Sequence, residues 1–225
     1  PADKLASPRD AAWRLVAEQG WLMITLPEDL GGLGLSRDSA AAVHFELGRV
    51  LSTAPLIPAL LGLEAIAASE SLADKGIRKL VMLNAHGGNS PLMTIVATEL
   101  RTRRKMLAVA TGWTRFGLPG GVISDNEKAY GIHGGEIETS VMLALRPDLV
   151  HMDRARNFPS LQYELAQTAK HLRAYGPHAF GWMATDLNPN GVTGNARQAD
   201  IVNGKAMIAH AAEGFVELLQ DVAAF

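Results

Sequence analysis

Two short apolar runs on either side of a helical pattern constrain the fold of this 225-residue chain more than any other feature. Residues 77–83 and 106–111 have the length of buried strands, and Ser90 with Pro91 opens a helical pattern between them. A strand, a helix and a second strand in this order form a right-handed unit whose strands are parallel. Residues 77–111 therefore predict an α/β fold with a mostly parallel sheet.

Helical patterns occupy most of the remaining chain. Capping residues and glycine stops predict helices before the strands at about 8–19, 36–51 and 55–75. After the strands, the same signals predict helices at about 136–145, 160–175 and 198–222. We therefore expect two parts, a helical segment over residues 1–70 and an α/β domain over residues 71–225.

The charge and the cysteine content exclude several classes of protein. Lys and Arg total 21 against 23 Asp and Glu, so the chain lacks the basic excess that binds nucleic acid or anionic membranes. The longest apolar stretch, 54–68, is broken by Pro55, Pro58 and Glu64, and no charged leader precedes an apolar segment at the start. Without cysteine there is no thiolate ligand or nucleophile. We expect a cytoplasmic protein with no nucleic-acid or membrane partner.

The loop after the first predicted strand carries the first candidate site residue. Ligands of open α/β sheets bind beyond the carboxyl ends of the strands, where His86 lies between a strand end and a helix start. Gly87 and Gly88 follow it and would let a metal or a substrate approach the backbone closely. A neutral imidazole is a metal ligand or a proton carrier. The alternative is a loop histidine that makes only local hydrogen bonds.

A second cluster lies at the start of the helix predicted at 136–145. His133, Glu136 and Glu138 place one imidazole and two carboxylates where the helix dipole stabilises negative charge. The alternative is that both carboxylates only cap the first turn.

Trp113 and Trp182 lie in glycine-rich loops and are candidates for a substrate pocket, although tryptophan is more often a packing residue.

These two clusters resemble the signature segments of the creatininase family of metal-dependent amidohydrolases, over roughly residues 70–222. Residues 76–89, GIRKLVMLNAHGGN, are similar to the family's strand and NGHGGN segment, with Ala85 in place of the first glycine. Residues 133–140, HGGEIETS, are similar to its HAGExETS segment. The resemblance implies a three-layer α/β/α sandwich that assembles as a homo-oligomer, often a hexamer.

The resemblance also implies an activity, the hydrolysis of a C–N bond in a small cyclic amide or a formamide-like substrate. His86 is then a metal ligand, and Glu138 is a carboxylate that holds or neighbours the metal. His133 is the residue that carries a proton or orients the substrate. The metal would be zinc, manganese or iron, which lowers the pKa of bound water and polarises the amide carbonyl. The creatinine-hydrolysing branch has tyrosine and glutamate at the positions of Gly87 and Gly88, so another amide is the expected substrate.

The family's first metal-binding motif, ExHGxHLP followed by Asp, is not found upstream. Residues 10–66 instead resemble the amino-terminal helical part of acyl-CoA dehydrogenases, in the segments LVAEQGW, LPEDLGGLG and ELGRVL.

A catalytic zinc usually has three protein ligands, so His86 and Glu138 need at least one more. A partner chain is one source, and the candidates within the chain are Asp29, Asp125, Glu136 and Asp186. Two other hypotheses are an inactive fusion or remnant, and a helical module at 1–66 that docks on acyl-CoA-type enzymes.

Overall fold

The computed structural model of the chain describes residues 14, 16, 18–36, 38–43, 67 and 71–225. The chain divides into two compact units, Pro1–Gly112 and Trp113–Phe225. The predicted boundary between residues 70 and 71 lies at the edge of the described part and stays a prediction. Across the described ranges, no helix combines the length and the apolar character needed to cross a membrane.

The amino-terminal part of the first unit holds a small apolar cluster. Val16 and Ile24 are buried in it, against Trp21, Leu22, Ala40 and Val43. Short 3-10 helices at Trp21–Met23 and Glu28–Leu30 lead into the glycine-rich loop. Within the three predicted helices, the described residues 14, 16, 18, 38–43, 67 and 71–74 are helical, and Gln19, Ser36 and Lys75 are not. The other residues of these predicted ranges lie outside the described residues.

The predicted strand–helix–strand unit is present. Strand β1 is Lys79–Asn84, helix α1 is Ser90–Arg104 and strand β2 is Leu107–Gly112. The two strands pair in parallel, from Lys79 opposite Leu107 to Asn84 opposite Gly112. Helix α1 packs on this pair through a buried core of Ala73, Val96, Leu100 and Met106, against Leu80, Met82 and Ala108. The α/β class is therefore confirmed, and the carboxyl end of β1 presents the loop that carries His86.

The second unit is mainly helical. Its helices are α2 Asp125–Tyr130, α3 Glu136–Leu145, α4 Leu161–Thr168, α5 Ala184–Leu187 and α6 Ile201–Ala224. Its two strands, β3 Asn157–Phe158 and β4 Gly194–Asn195, form a short antiparallel pair. Helix α3 begins and ends where the sequence predicts it, and α6 lies within a few residues of its predicted range.

Three helices of this unit differ from the prediction, since α4 is shorter than predicted and α2 and α5 have no predicted counterpart. Helix α4 ends at Thr168 instead of 175, because the Arg173 guanidinium donates to the carbonyl oxygens of Leu165 (3.3 Å) and Ala169 (2.9 Å). The Ala169 carbonyl is one that a longer helix would pair internally, whereas the Leu165 carbonyl also accepts from the Ala169 backbone N–H (3.0 Å). Helix α2 was not predicted, although Ser124 caps it by accepting a hydrogen bond from the Glu127 backbone N–H. A Ser-x-x-Glu pattern at 124–127 is the signal that would have identified it.

Replacing Asp200 with alanine is expected to destabilise the longest helix at its start. The Asp200 carboxylate caps α6 by accepting hydrogen bonds from the backbone N–H groups of Val202 (2.8 Å) and Asn203 (2.9 Å). Loss of such a cap costs about 1 kcal/mol of unfolding free energy. Urea denaturation followed by circular dichroism measures this change, with Glu213→Ala on the same helix as the exposed control. Equal stabilities of the two variants would contradict the capping role.

Candidate active site

The loop after β1 is built around one buried side chain, Asn84. Its Nδ2 donates to the His86 carbonyl (2.6 Å) and to the Ser90 hydroxyl (3.2 Å), and its Oδ1 accepts from the His86 backbone N–H (3.1 Å). Both ends of the loop are therefore attached to the last residue of the strand. Sequence analysis did not assign Asn84 a role, although an amide side chain at a strand end is typical of such turns.

The His86 imidazole lies over a glycine and is exposed. A Cβ atom on Gly88 would stand 2.9 Å from Nε2 of His86, so a side chain at this position would have to displace the exposed imidazole. At Gly87 a Cβ atom would meet nothing within 4 Å. The ring is thus free to bind a ligand, and the hydrogen bonds of the loop are made by the backbone of His86 and the side chain of Asn84.

The second predicted cluster lies at the start of α3. The backbone of His133 pairs with Thr193, since Thr193 N–H donates to the His133 carbonyl (2.7 Å) and His133 N–H donates to the Thr193 carbonyl (3.3 Å). Gly134 has a φ of 66°, the left-handed region that favours glycine. This turn directs the chain into helix α3 and leaves the His133 side chain half-buried.

Glu138 acts as a cap and also faces a cleft. Its Oε2 accepts a hydrogen bond from the Gly134 backbone N–H at 2.5 Å, which is the capping role considered as the alternative. The side chain remains exposed and lines a cleft of about 500 Å³. The cleft is mostly apolar, and its other lining residues are Gly134, Thr139, Met142, Leu149, Val150, His151, Arg154, Ala155, Phe158, Val192 and Ala196. Capping therefore occupies one oxygen of Glu138 and does not bury the carboxylate.

Glu136 differs from Glu138 in its surroundings. It is 7% exposed, against the exposed position of Glu138 one half-turn further along. Burial, and next the negative charge of Glu127, raise the pKa of Glu136 above its ordinary value. The two carboxylates are therefore in different environments, as the spacing of two residues on a helix predicts.

Sequence analysis missed Glu127, which is 2% exposed. Its carboxylate accepts hydrogen bonds from the backbone N–H groups of Glu136 (2.6 Å) and Asn195 (2.8 Å). Two atoms nearby, Thr193 Oγ1 and Asn195 Oδ1, are buried and have no hydrogen-bond partner among the described residues. The site at the start of α3 thus contains a buried carboxylate that comes from the preceding helix.

The structure places the predicted site residues in both units. His86, Gly87 and Gly88 lie together in the first unit, and His133 and Glu138 lie together in the second. Trp113 begins a 3-10 helix, Trp113–Phe116, and is half-buried. The Trp182 indole N–H donates to the Ala174 carbonyl (2.7 Å), the packing role considered as its alternative.

The described residues do not complete a metal site. Within the ranges that the structure describes, no group of three or more His, Asp or Glu side chains is arranged to hold one ion. Three of the additional ligands considered are engaged elsewhere. Asp125 pairs with Lys128 (3.1 Å), the Asp186 carboxylate accepts from the Met183 backbone N–H (2.8 Å), and Glu136 is buried. Among the described residues, the ligand set for a divalent ion is therefore incomplete.

Two curated relatives each match part of the chain. A mycofactocin precursor peptide peptidase of Mycobacterium ulcerans is 30% identical over 131 residues, which cover 58% of this chain and 44% of the relative. An acyl-CoA dehydrogenase of Mycobacterium tuberculosis is 31% identical over 117 residues, covering 48% of this chain and 35% of the relative. The chain thus spans less than half the length of each of these relatives.

Two solved structures share the fold. A protein of Bacteroides fragilis NCTC 9343 named as a creatinine amidohydrolase superposes with a TM-score of 0.56 at 25% identity, over 74% of this chain and 62% of that one. A mutant creatininase superposes with a TM-score of 0.53 at 24% identity, over 73% of this chain and 64% of that one. These neighbours confirm a creatininase-like α/β fold.

Two family models match the sequence. The model of the acyl-CoA dehydrogenase amino-terminal domain matches residues 2–81, in agreement with the resemblance seen in the helical segment. The model of creatinine amidohydrolase, or creatininase, matches residues 53–219, which is most of the chain and includes both motif loops. The chain therefore belongs to the creatininase family.

Proposed function

We propose that this chain is a metal-dependent amidohydrolase that cleaves the C–N bond of a small cyclic amide or a formamide-like substrate. The observation that carries the proposal is the family match over residues 53–219 together with the two motif loops, one at the end of β1 and one at the start of α3. The exposed imidazole of His86 and the exposed carboxylate of Glu138 are groups that ligate divalent ions. Zinc, manganese and iron are the candidate metals.

His133 is proposed to carry the proton in this reaction. Hydrolysis of an amide adds hydroxide to the carbonyl carbon and a proton to the nitrogen as the C–N bond breaks. An imidazole suits the second task because its ordinary pKa lies near neutral pH. His133 has a fixed backbone, through its pair with Thr193, and a half-buried side chain next to the turn that starts α3.

The cleft beside Glu138 is large enough to hold a small amide substrate. Its volume of about 500 Å³ falls in the range of small-molecule sites. Gly87, Gly88, Trp113 and Trp182 are proposed to contact the substrate. Trp182 would do so through the face of its ring, because its indole N–H donates to the Ala174 carbonyl. Assembly as a homo-oligomer and a cytoplasmic location stay predictions.

The second candidate function is a catalytically inactive member of the family that keeps the fold. The incomplete ligand set within the described residues favours this alternative. The two candidates differ in one measurable property, because an inactive remnant would not retain a tightly bound divalent ion.

Metal content of the purified full chain tests the proposal. Separate preparations would be loaded with zinc, manganese or iron, dialysed against metal-free buffer and measured by elemental mass spectrometry. We expect about one or two ions per chain in the wild type, and the loss of at least one in His86→Ala, since an imidazole ligand is removed. His171→Ala is the matched control, because His171 is an exposed histidine whose ring contacts His178.

The loaded protein would then be assayed for the release of amine from a panel of cyclic amides and N-formyl compounds. Hydrolysis that depends on the retained metal supports the enzyme. A folded protein that holds no metal and hydrolyses none of these substrates would favour the inactive alternative.

A further inference from the structure

Glu127 lies on a well-anchored helix that the proposed chemistry does not use. The hydroxyl of Ser124 caps the first turn of α2, and the Tyr130 ring at its last residue packs edge-to-face on Tyr163, with 5.1 Å between ring centroids. Glu127 projects from between these two anchors and is 2% exposed. A carboxylate buried to this extent needs hydrogen-bond donors in fixed positions.

Those donors come from two distant segments of the chain. The Glu136 backbone N–H donates to Oε1 (2.6 Å) and the Asn195 backbone N–H donates to Oε2 (2.8 Å). The first donor is the opening residue of α3, and the second belongs to β4, 68 positions from Glu127. Hydrogen bonds to a carboxylate are about twice as strong as those between neutral groups. One side chain thus connects three elements, α2, α3 and β4.

Three glycines leave the space that this carboxylate fills. A Cβ atom would stand 2.1 Å from Oε1 at Gly131, 2.1 Å at Gly135 and 2.5 Å at Gly194. Gly131 and Gly135 have φ values of −84° and −77°, which any residue adopts, so backbone conformation does not require glycine at either position. The carboxylate of Glu127 is the nearest obstacle to a side chain at both positions, and at Gly135 the Thr193 carbonyl oxygen and the Gly194 Cα also stand 3.0 Å away.

The residues proposed to act in the reaction lie within this arrangement. His133 is placed between Gly131 and Gly135, and its backbone partner Thr193 is two residues before Asn195. Glu138 follows in the first turn of the helix whose opening N–H is held by Glu127. Removal of the carboxylate would therefore release both sides of the His133–Thr193 pair and the start of α3 together.

We propose that Glu127 is a positioning residue, which holds the His133 loop and the start of α3 that carries Glu138 in one fixed arrangement through its two backbone hydrogen bonds. The importance of Glu127 for catalysis rests on the proposed function. Its effect on the backbone of the His133 loop and of the start of α3 does not rest on that function and can be measured separately.

Hydrogen exchange followed by mass spectrometry on the full chain tests this inference. Glu127→Gln keeps the shape of the side chain, but its NH₂ group would face one of the two N–H donors and cannot accept from it. We expect exchange to be at least tenfold faster in residues 131–138 and 192–195, with α6 unchanged. Glu217→Gln, an exposed position on α6, is the matched control and should leave all these segments as in the wild type.

A second variant keeps the test valid if Glu127→Gln fails to fold. Glu127→Asp retains the charge and is one methylene shorter, so it reaches one donor at most, and the same two segments should exchange faster to a smaller extent. Exchange that rises equally in α6 would mean a role in global stability only and would overturn the inference. Unchanged exchange in the two segments would overturn it as well.

Kinetics separate this inference from the proposed function. If the wild type hydrolyses an amide, Glu127→Gln should lower kcat at least tenfold and change KM less than twofold, since a displaced His133 affects the proton transfer more than binding. An active wild type with an unaltered kcat in the variant would refute the positioning role and leave the enzyme intact. An inactive wild type with selectively faster exchange would refute the proposed function alone.

Discussion

Replacement of His133 by glutamine is expected to lower kcat for amide hydrolysis by about 10² to 10⁴, with a small change in KM. Glutamine is polar but does not exchange a proton near neutral pH, so the departing nitrogen would lose its proton donor. The fold should be kept, because the hydrogen bonds between His133 and Thr193 are made by backbone atoms that the substitution does not alter. Steady-state kinetics on the substrate found by screening measures both parameters.

The control for this variant is His171→Gln. His171 is exposed and its ring contacts His178 at 5.7 Å between centroids, so the same substitution there should leave kcat unchanged. Metal content should equal that of the wild type in both variants, which separates proton transfer from metal binding. A His133→Gln enzyme with wild-type kcat would show that another group protonates the nitrogen.

Replacement of Gly204 by alanine is expected to lower the free energy of unfolding of the second unit more than Asp200→Ala or Gly214→Ala does. A Cβ atom at Gly204 would stand 2.0 Å from the carbonyl oxygen of Ser140 and 2.5 Å from its carbonyl carbon. Both are backbone atoms within α3, so relief requires the helices α3 and α6 to move apart. Overpacking typically costs 1–3 kcal/mol, occasionally more, while alanine regains about 1 kcal/mol of helix propensity over glycine. Because the 2.0 Å approach is to a backbone atom, we take the upper end of this range, about 3 kcal/mol, and expect a net loss of about 2 kcal/mol in the free energy of unfolding.

Gly214→Ala provides a matched comparison on the same helix. There a Cβ atom would stand 2.8 Å from Cδ1 and 2.9 Å from Cβ of Phe116, whose side chain can shift more easily than a helix backbone. The loss of stability should therefore be smaller than at Gly204. Urea denaturation of the two variants gives the order directly, and a Gly204→Ala protein as stable as the wild type would disprove the close contact between α3 and α6.

Much of the fold was predictable because the signals are local. The apolar runs that form β1 and β2, the Ser90 and Pro91 start of α1 and the bounds of α3 depend on neighbouring residues along the chain. The end of α4 was not predictable in this way. It depends on the Arg173 side chain, which folds back on carbonyl groups at Leu165 and Ala169 after the chain has turned.

The residues of the candidate site were likewise predictable only where the signal is local in the sequence. Sequence motifs identified His86, His133 and Glu138, since each belongs to a short run of residues that is similar to a family segment. The motif could not tell a capping carboxylate from a free one, and the structure shows Glu138 capping Gly134 while its side chain remains exposed. Whether a carboxylate has a free oxygen depends on the path of the backbone around it.

The sequence by itself determined the α/β class, the family and the two loops in which the chemistry is proposed. The tertiary structure alone identified Glu127, because a solvated glutamate in a short helix and a buried glutamate at the junction of three elements have the same local sequence. Its two donors, Glu136 and Asn195, lie 9 and 68 positions away. The three glycines around it leave room for the carboxylate only because the fold brings these segments together. Burial of a charge requires partners from several parts of the chain, and only the folded chain brings them together.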